Sequence, residues 1–177
     1  MDQALLNRAE IELEHADQSL RQLSDTKQVD EVAYHWANFL GAFDRIFNRI
    51  GAAAGGNGNA WFGRVEQFRK ADPLLSYLMH ARNAQEHGLL AVAEERSGFI
   101  NLIGAEQMEI ADPKAGIRVT FDIQDPHLAL VDVKDRGVLY AVPTSFRGRP
   151  ISAAHPLSIG LLGLSYIEEV LVEARSM

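Results

Sequence analysis

The chain contains no cysteine, which excludes disulfides, thiolate catalysis and cysteine-ligated zinc and agrees with a reducing compartment. No uninterrupted apolar run reaches the roughly 18 residues that suggest a membrane-spanning helix. Residues 2–24 open as an amphipathic acidic helix rather than a basic leader, so a cytoplasmic protein without membrane contact is expected. Internal repeats and low-complexity tracts are missing as well. The glycine-bearing stretch 51–59 lacks the lysine and the Ser/Thr of a phosphate-binding loop and follows a helix instead of a strand. No HxxxH or HExxH pairing occurs, and His80 and His87 stand two turns apart, too far to grip one ion unaided; His35 could join them only by tertiary convergence. No metal and no cofactor are therefore expected.

A surplus of positive charge is also lacking. The net charge of −7 argues against a general nucleic-acid binder, because sequence-independent affinity comes from neutralising several phosphates. Its distribution is uneven: residues 1–31 and 86–177 are each net −5, whereas 40–85 carry six basic and three acidic side chains, net +3. Arg45, Arg49, Arg64, Arg69, Lys70 and Arg82 make up that basic segment. They read either as solvated helix surface or as the wall of a phosphate-facing cleft, with Arg45 and Arg49 as candidate binding residues.

What the sequence does contain is a strong helical pattern. At 177 residues and 47% apolar content, the chain is long enough for one good core. Leu5, Ala9, Leu13, Ala16, Leu20 and Leu23 recur at helical spacing. A second helix, which Asp30 can cap, runs to about residue 50 with a wide face of Val32, Trp36, Phe39, Leu40, Phe43, Ile46, Phe47 and Ile50. A short third helix spans about 60–71 with Trp61, Phe62, Val65 and Phe68, and Asp72-Pro73 starts a fourth that extends to about residue 95. Beyond it the runs 99–103, 117–123, 128–133 and 138–142 are short and β-branched or alternating. Asp-Pro and Asp-Arg-Gly turns separate them, and they predict an antiparallel meander. Pro156 begins a last helix whose face of Leu157, Leu161, Leu164, Ile167, Leu171 and Val172 needs a partner. The expected fold is mainly α: a helical bundle over 1–96, a small antiparallel β segment over 97–155, and a C-terminal helix over 156–177 returning to the bundle.

The fourth helix carries the chemistry. At 100° per residue His80, Asn83 and His87 share one stripe. Beside it runs a stripe of small residues, Ala81, Ala84, Gly88 and Ala91, at the spacing that lets another helix approach. A second copy of the chain crossing there would bring two His87 side chains into one cleft, and twofold dimers are the commonest oligomers. Arg82 lies about 140° from His87 on an ideal helix, toward the face that enters the bundle; Glu86 and Asp44 are its candidate partners. A permanent cation, an amide and an imidazole within about two turns suit work on a phosphodiester. Arginine holds charge that develops on phosphate oxygens, and histidine moves protons near neutral pH. Arg82, Asn83 and His87 are the candidate catalytic residues, with His80 and Tyr77 as candidate binding residues on the same helix.

The order arginine, polar residue, three further residues, histidine, read at Arg82-Asn83 through His87 on a helical bundle, resembles the signature of the HEPN superfamily. The likeness covers roughly residues 1–96 and the last helix. It implies a metal-independent endoribonuclease that cleaves RNA by attack of the ribose 2′-hydroxyl, leaving a cyclic phosphate, at a composite site on a homodimer interface. His87 would serve as general base or acid, Arg82 would stabilise the phosphorane-like charge, and Asn83 would orient the phosphate or the imidazole. The partners implied are RNA, a second copy of the chain and, by analogy with toxin and phage-defence members, an antitoxin or partner protein. Other HEPN proteins bind RNA, nucleotides or proteins without cutting, which is the alternative expectation.

Overall fold

The computed structural model describes residues 1–26, 28–86, 93–96, 99–101, 107–112, 117–124, 127–152 and 155–177. Helix α1 (Gln3–Asp25) starts where the Asp2 carboxylate accepts from the Ala4 and Leu5 amides at 2.9 and 3.2 Å, satisfying donors that the first turn leaves open. It buries Leu6, Ala9, Ala16, Leu20 and Leu23 against α2 (Val29–Ala53). The N-cap of α2 is Gln28, not Asp30. Asp30 and Glu31 sit inside the first turn, where their charges meet the positive end of the helix dipole.

The apolar face of α2 forms the centre of the core. Trp36, Phe39, Leu40, Phe43, Ile46, Phe47 and Ile50 are all at most 1% exposed, and the rings of Trp36, Phe39, Phe43 and Phe47 follow one another at 5.2, 5.7 and 5.3 Å. Each such buried side chain contributes about 1.5–3 kcal/mol, so this one face outweighs any other in the bundle. The helix continues through Gly51, where an added Cβ would stand 2.6 Å from the Phe62 ring of α3 (Asn59–Ala71). The glycine connection expected over 51–59 thus shrinks to a short 3₁₀ turn, Gly56–Gly58.

Helix α4 (Pro73–Glu86) is capped by Asp72, whose Oδ1 accepts from the Leu74 and Leu75 amides. It does not run to residue 95, because Ala93–Arg96 is already strand β1. Among the described residues eight further strands follow: β2 (Phe99–Asn101), β3 (Gln107–Asp112), β4 (Ile117–Gln124), β5 (His127–Leu130), β6 (Val133–Asp135), β7 (Val138–Tyr140), β8 (Ser145–Phe146) and β9 (Arg149–Pro150). All pairings are antiparallel, as the turn residues require, but they are divided among four small sheets. β1 pairs with β5, and the segment between them in sequence holds the three-stranded β2-β4-β3 sheet. The run expected over 128–133 is two strands, since β5 ends at Leu130 and β6 turns back on β7.

Helix α5 (Pro156–Arg175) returns to α1 and α2. Its buried face is rotated from the one expected: Leu161 and Val172 are 50% and 71% exposed, while Gly160 and Gly163 face inward. The glycines cause the rotation. A Cβ at Gly160 would stand 2.5 Å from Leu20 Cδ2, and one at Gly163 would stand 2.6 Å from Leu78 Cδ1, so the helix approaches along its side-chain-free strip. The protein is therefore mainly helical, a bundle with small antiparallel sheets inserted before the last helix. Among the described residues no helix is long and apolar enough to cross a membrane.

Candidate functional site

Two faces of α4 are used inside the chain. Leu74, Leu75, Leu78, Ala81 and Ala84 are at most 1% exposed and enter the helical core. Tyr77, His80 and Asn83, three residues apart on the neighbouring face, meet the segment that contains β6 and β7. The Tyr77 hydroxyl donates to the Val131 carbonyl at 2.8 Å, and burial, followed by the nearby Asp132 charge, pushes its ionisation well above the ordinary tyrosine range. His80 Nδ1 lies 2.7 Å from Asp135 Oδ2, and Asn83 Nδ2 donates to the same oxygen at 3.0 Å. The Tyr140 ring stacks on the His80 ring at 3.5 Å with 14° between planes.

Asp135 is 4% exposed. A carboxylate that far from water persists only when its lone pairs are occupied. Hydrogen bonds from His80 first and Asn83 second outweigh the burial penalty and hold its carboxyl below the usual carboxylate value. With Asp135 ionised, Nδ1 carries a proton toward it, and Nε2 becomes the nitrogen that can exchange protons.

Arg82 connects this group to the bundle. Its Nη1 donates to Asn83 Oδ1 at 3.3 Å, and its Nε lies 3.6 Å from Asp44 Oδ2 on α2. Asp44 also pairs with Arg69 at 2.9 Å, and the Arg69 guanidinium rests over the Phe47 ring at 4.1 Å and reaches Glu66. A single chain of polar contacts therefore runs from Glu66 through Arg69, Asp44, Arg82, Asn83 and Asp135 to His80. Of the two partners considered for Arg82, the Asp44 pairing is present.

The sequence-derived candidates divide accordingly. Arg82, Asn83, His80 and Tyr77 lie on one stretch of α4, and His87 falls outside the described residues. Arg45 and Arg49 do not join them. Both turn toward α1, where they hold Glu12 at 2.8 and 3.0 Å. Burial pushes the Glu12 carboxyl up, but the hydrogen bonds from Arg45 and Arg49 together bring it below the ordinary value. In the structure both guanidiniums belong to this ion cluster with α1 and stand apart from the α4 group. Of the small-residue stripe, Ala81 and Ala84 are covered by the chain's own core, and Gly88 and Ala91 fall outside the described residues. Among the described residues no group of three His, Cys, Asp or Glu side chains could hold a metal ion.

Sequence reasoning passed over Asp135 and Tyr140. Asp135 was legible only as the first residue of an Asp-Arg-Gly turn, and it does precede one: Arg136 and Gly137 both have positive φ, 48° and 85°, the two-residue geometry that joins twisted strands. A second signal was available. Strand alternation places Asp135 on the same face as Val133, and both are buried around an exposed Lys134, so a carboxylate on an apolar face demanded a donor from another element.

Chemically, the arrangement offers a guanidinium oriented by a carboxylate, an amide that links it to a second carboxylate, and an imidazole whose tautomer that carboxylate sets. No protein-family model, curated protein or solved structure matches the chain.

Proposed function

We propose that this protein is a metal-independent endoribonuclease of HEPN type, acting in the cytoplasm as a homodimer. One observation carries the reading: Arg82 and Asn83, adjacent members of the motif, belong to a single polar network with a second imidazole, His80. In the proposed reaction the ribose 2′-oxygen attacks phosphorus, the bond to the 5′-oxygen breaks, and a cyclic phosphate remains. Arg82 neutralises charge developing on the equatorial oxygens, Asn83 orients the phosphate or the imidazole, and His87 transfers a proton. No cofactor is required. Asp44 supports this role by fixing the guanidinium, so little ordering entropy is lost when phosphate binds.

The test is cleavage of mixed RNA in EDTA. Wild type is expected to yield cyclic-phosphate ends, and Arg82→Ala and His87→Ala are each expected to lower the rate by about 10²-fold or more. Equal activity in wild type and both variants overturns the assignment.

A second reading is a non-catalytic HEPN-like module that binds RNA, a nucleotide or a partner protein such as an antitoxin. The observation favouring it is the Arg82–Asp44 pair, which already spends part of the guanidinium charge inside the chain. That reading predicts saturable binding of RNA or nucleotide with no cleavage products.

A further inference from the structure

We propose that His80 is a proton-transfer residue of the RNA-cleaving site, exchanging its proton at Nε2, with Asp135 as the carboxylate that positions it. The inference rests on the ribonuclease reading above and adds to it. Attack by the 2′-hydroxyl requires two proton transfers. The 2′-O–H proton must leave as the O2′–P bond forms, and the 5′-oxygen must gain a proton as its bond to phosphorus breaks. Each protomer's motif supplies one imidazole, His87. His80 supplies the other transfer, so the acid and base are two unlike histidines with different surroundings.

The geometry around His80 is that of an oriented imidazole rather than of a packing residue. A single carboxylate oxygen receives both His80 Nδ1 at 2.7 Å and Asn83 Nδ2 at 3.0 Å. This sets the carboxylate against one ring nitrogen and leaves the opposite nitrogen to act. The near-parallel Tyr140 ring at 3.5 Å fixes the ring's tilt. Asn83 is shared: its amide nitrogen serves Asp135 and its amide oxygen receives Arg82, so the motif's cation and the His80 dyad are two contacts apart. The His80 side chain keeps 15% of its surface exposed. Among the described residues, the charged and titratable groups connected to this dyad include Asp135 on β6, Arg136 in the following turn, Tyr140 on β7, and Tyr77 and Arg82 on α4, with Asp44 of α2 behind Arg82.

The experiment measures kcat, KM and their pH dependence on RNA in EDTA for wild type, His80→Gln, Asp135→Asn, Arg82→Ala and His87→Ala, with thermal melts to establish folding. His80→Gln is expected to lower kcat by about 10²–10⁴-fold at nearly unchanged KM and to flatten one limb of a bell-shaped profile. Asp135→Asn preserves an acceptor oxygen and the hairpin contact. It is expected to lower kcat by about tenfold or more and to alter that same limb, because an amide no longer fixes the tautomer of the imidazole. If His80→Gln keeps full kcat and both limbs while Arg82→Ala and His87→Ala abolish cleavage, the His80 role is overturned and the ribonuclease reading stands. Should His80→Gln fail to fold, an Asp135→Asn profile indistinguishable from wild type overturns the proposal by itself. Wild type that leaves RNA intact removes both.

Discussion

Asp44 shows how much depends on one side chain. It lies between two guanidiniums, Arg69 at 2.9 Å and Arg82 at 3.6 Å, and the two differ in what they would do without it. The Arg69 side chain is 5% exposed and the Arg82 side chain 27%. Removing the carboxylate leaves a buried cation without its best partner, a change that typically costs 3–5 kcal/mol. Glu66 keeps a longer contact to Arg69 at 3.4 Å, which places Asp44→Ala toward the lower end, about 3 kcal/mol. Arg82→Ala, at the more exposed end of the same network, is expected to cost about 1 kcal/mol or less. Urea denaturation midpoints check both, and a near-zero loss in Asp44→Ala would show that the network does not hold Arg69. This pairing was partly legible in the sequence, because an arginine on a face entering an apolar bundle needs a carboxylate and Asp44 is one of few nearby. The His80–Asp135 pair was not legible in that way.

At the scale of elements, local signals located the helices well and their faces less well. Asp2 and Asp72 cap as the polar residues before apolar periodicity suggest, and Pro156 stands in the first turn of α5. The face of α5 was misjudged because counting leucines ignores glycines, and here the glycines make the contact. Gly163 is the sharper case, since an added Cβ would meet Leu78 at 2.6 Å and Phe43 at 3.1 Å, both fully buried. Alanine gains about 1 kcal/mol in helix propensity, whereas overpacking a tight core costs about 1–3 kcal/mol. Gly163→Ala is therefore expected to be destabilising by about 1 kcal/mol net, read as a lowered melting temperature. A rise would mean that α5 can shift outward at little cost. The end of α4 and the pairing of β1 with β5 depend on partners far along the chain, which no window of local sequence contains.

For the molecule as a whole, the decisive quantity is how its charge is distributed once folded. The basic stretch over 40–85 reads in the sequence either as solvated helix surface or as a phosphate-facing cleft. Five of its six cations, Arg45, Arg49, Arg69, Lys70 and Arg82, instead face carboxylates of the same chain. Single-stranded RNA releases counterions in proportion to the phosphates neutralised, with a slope of about −0.7 per contact. Six free cations would give a slope near −4, while the paired arrangement predicts one no steeper than about −2. Fluorescence anisotropy of a short single-stranded RNA on His87→Ala across a salt series measures it. A slope near −4 would mean that the internal ion pairs open on binding.

The sequence by itself determined the mainly helical fold, the antiparallel insertion before the last helix and the polar cluster on α4, because caps, turn residues and apolar period act between neighbours a few positions apart. Only the tertiary structure decided which cations are spent on internal carboxylates, that Ala81 and Ala84 are already covered, and that Asp135 reaches His80 from 55 residues away. Those outcomes depend on how the chain returns on itself, and pairing across such a separation is set by the packing of whole elements rather than by the spacing of the residues that meet.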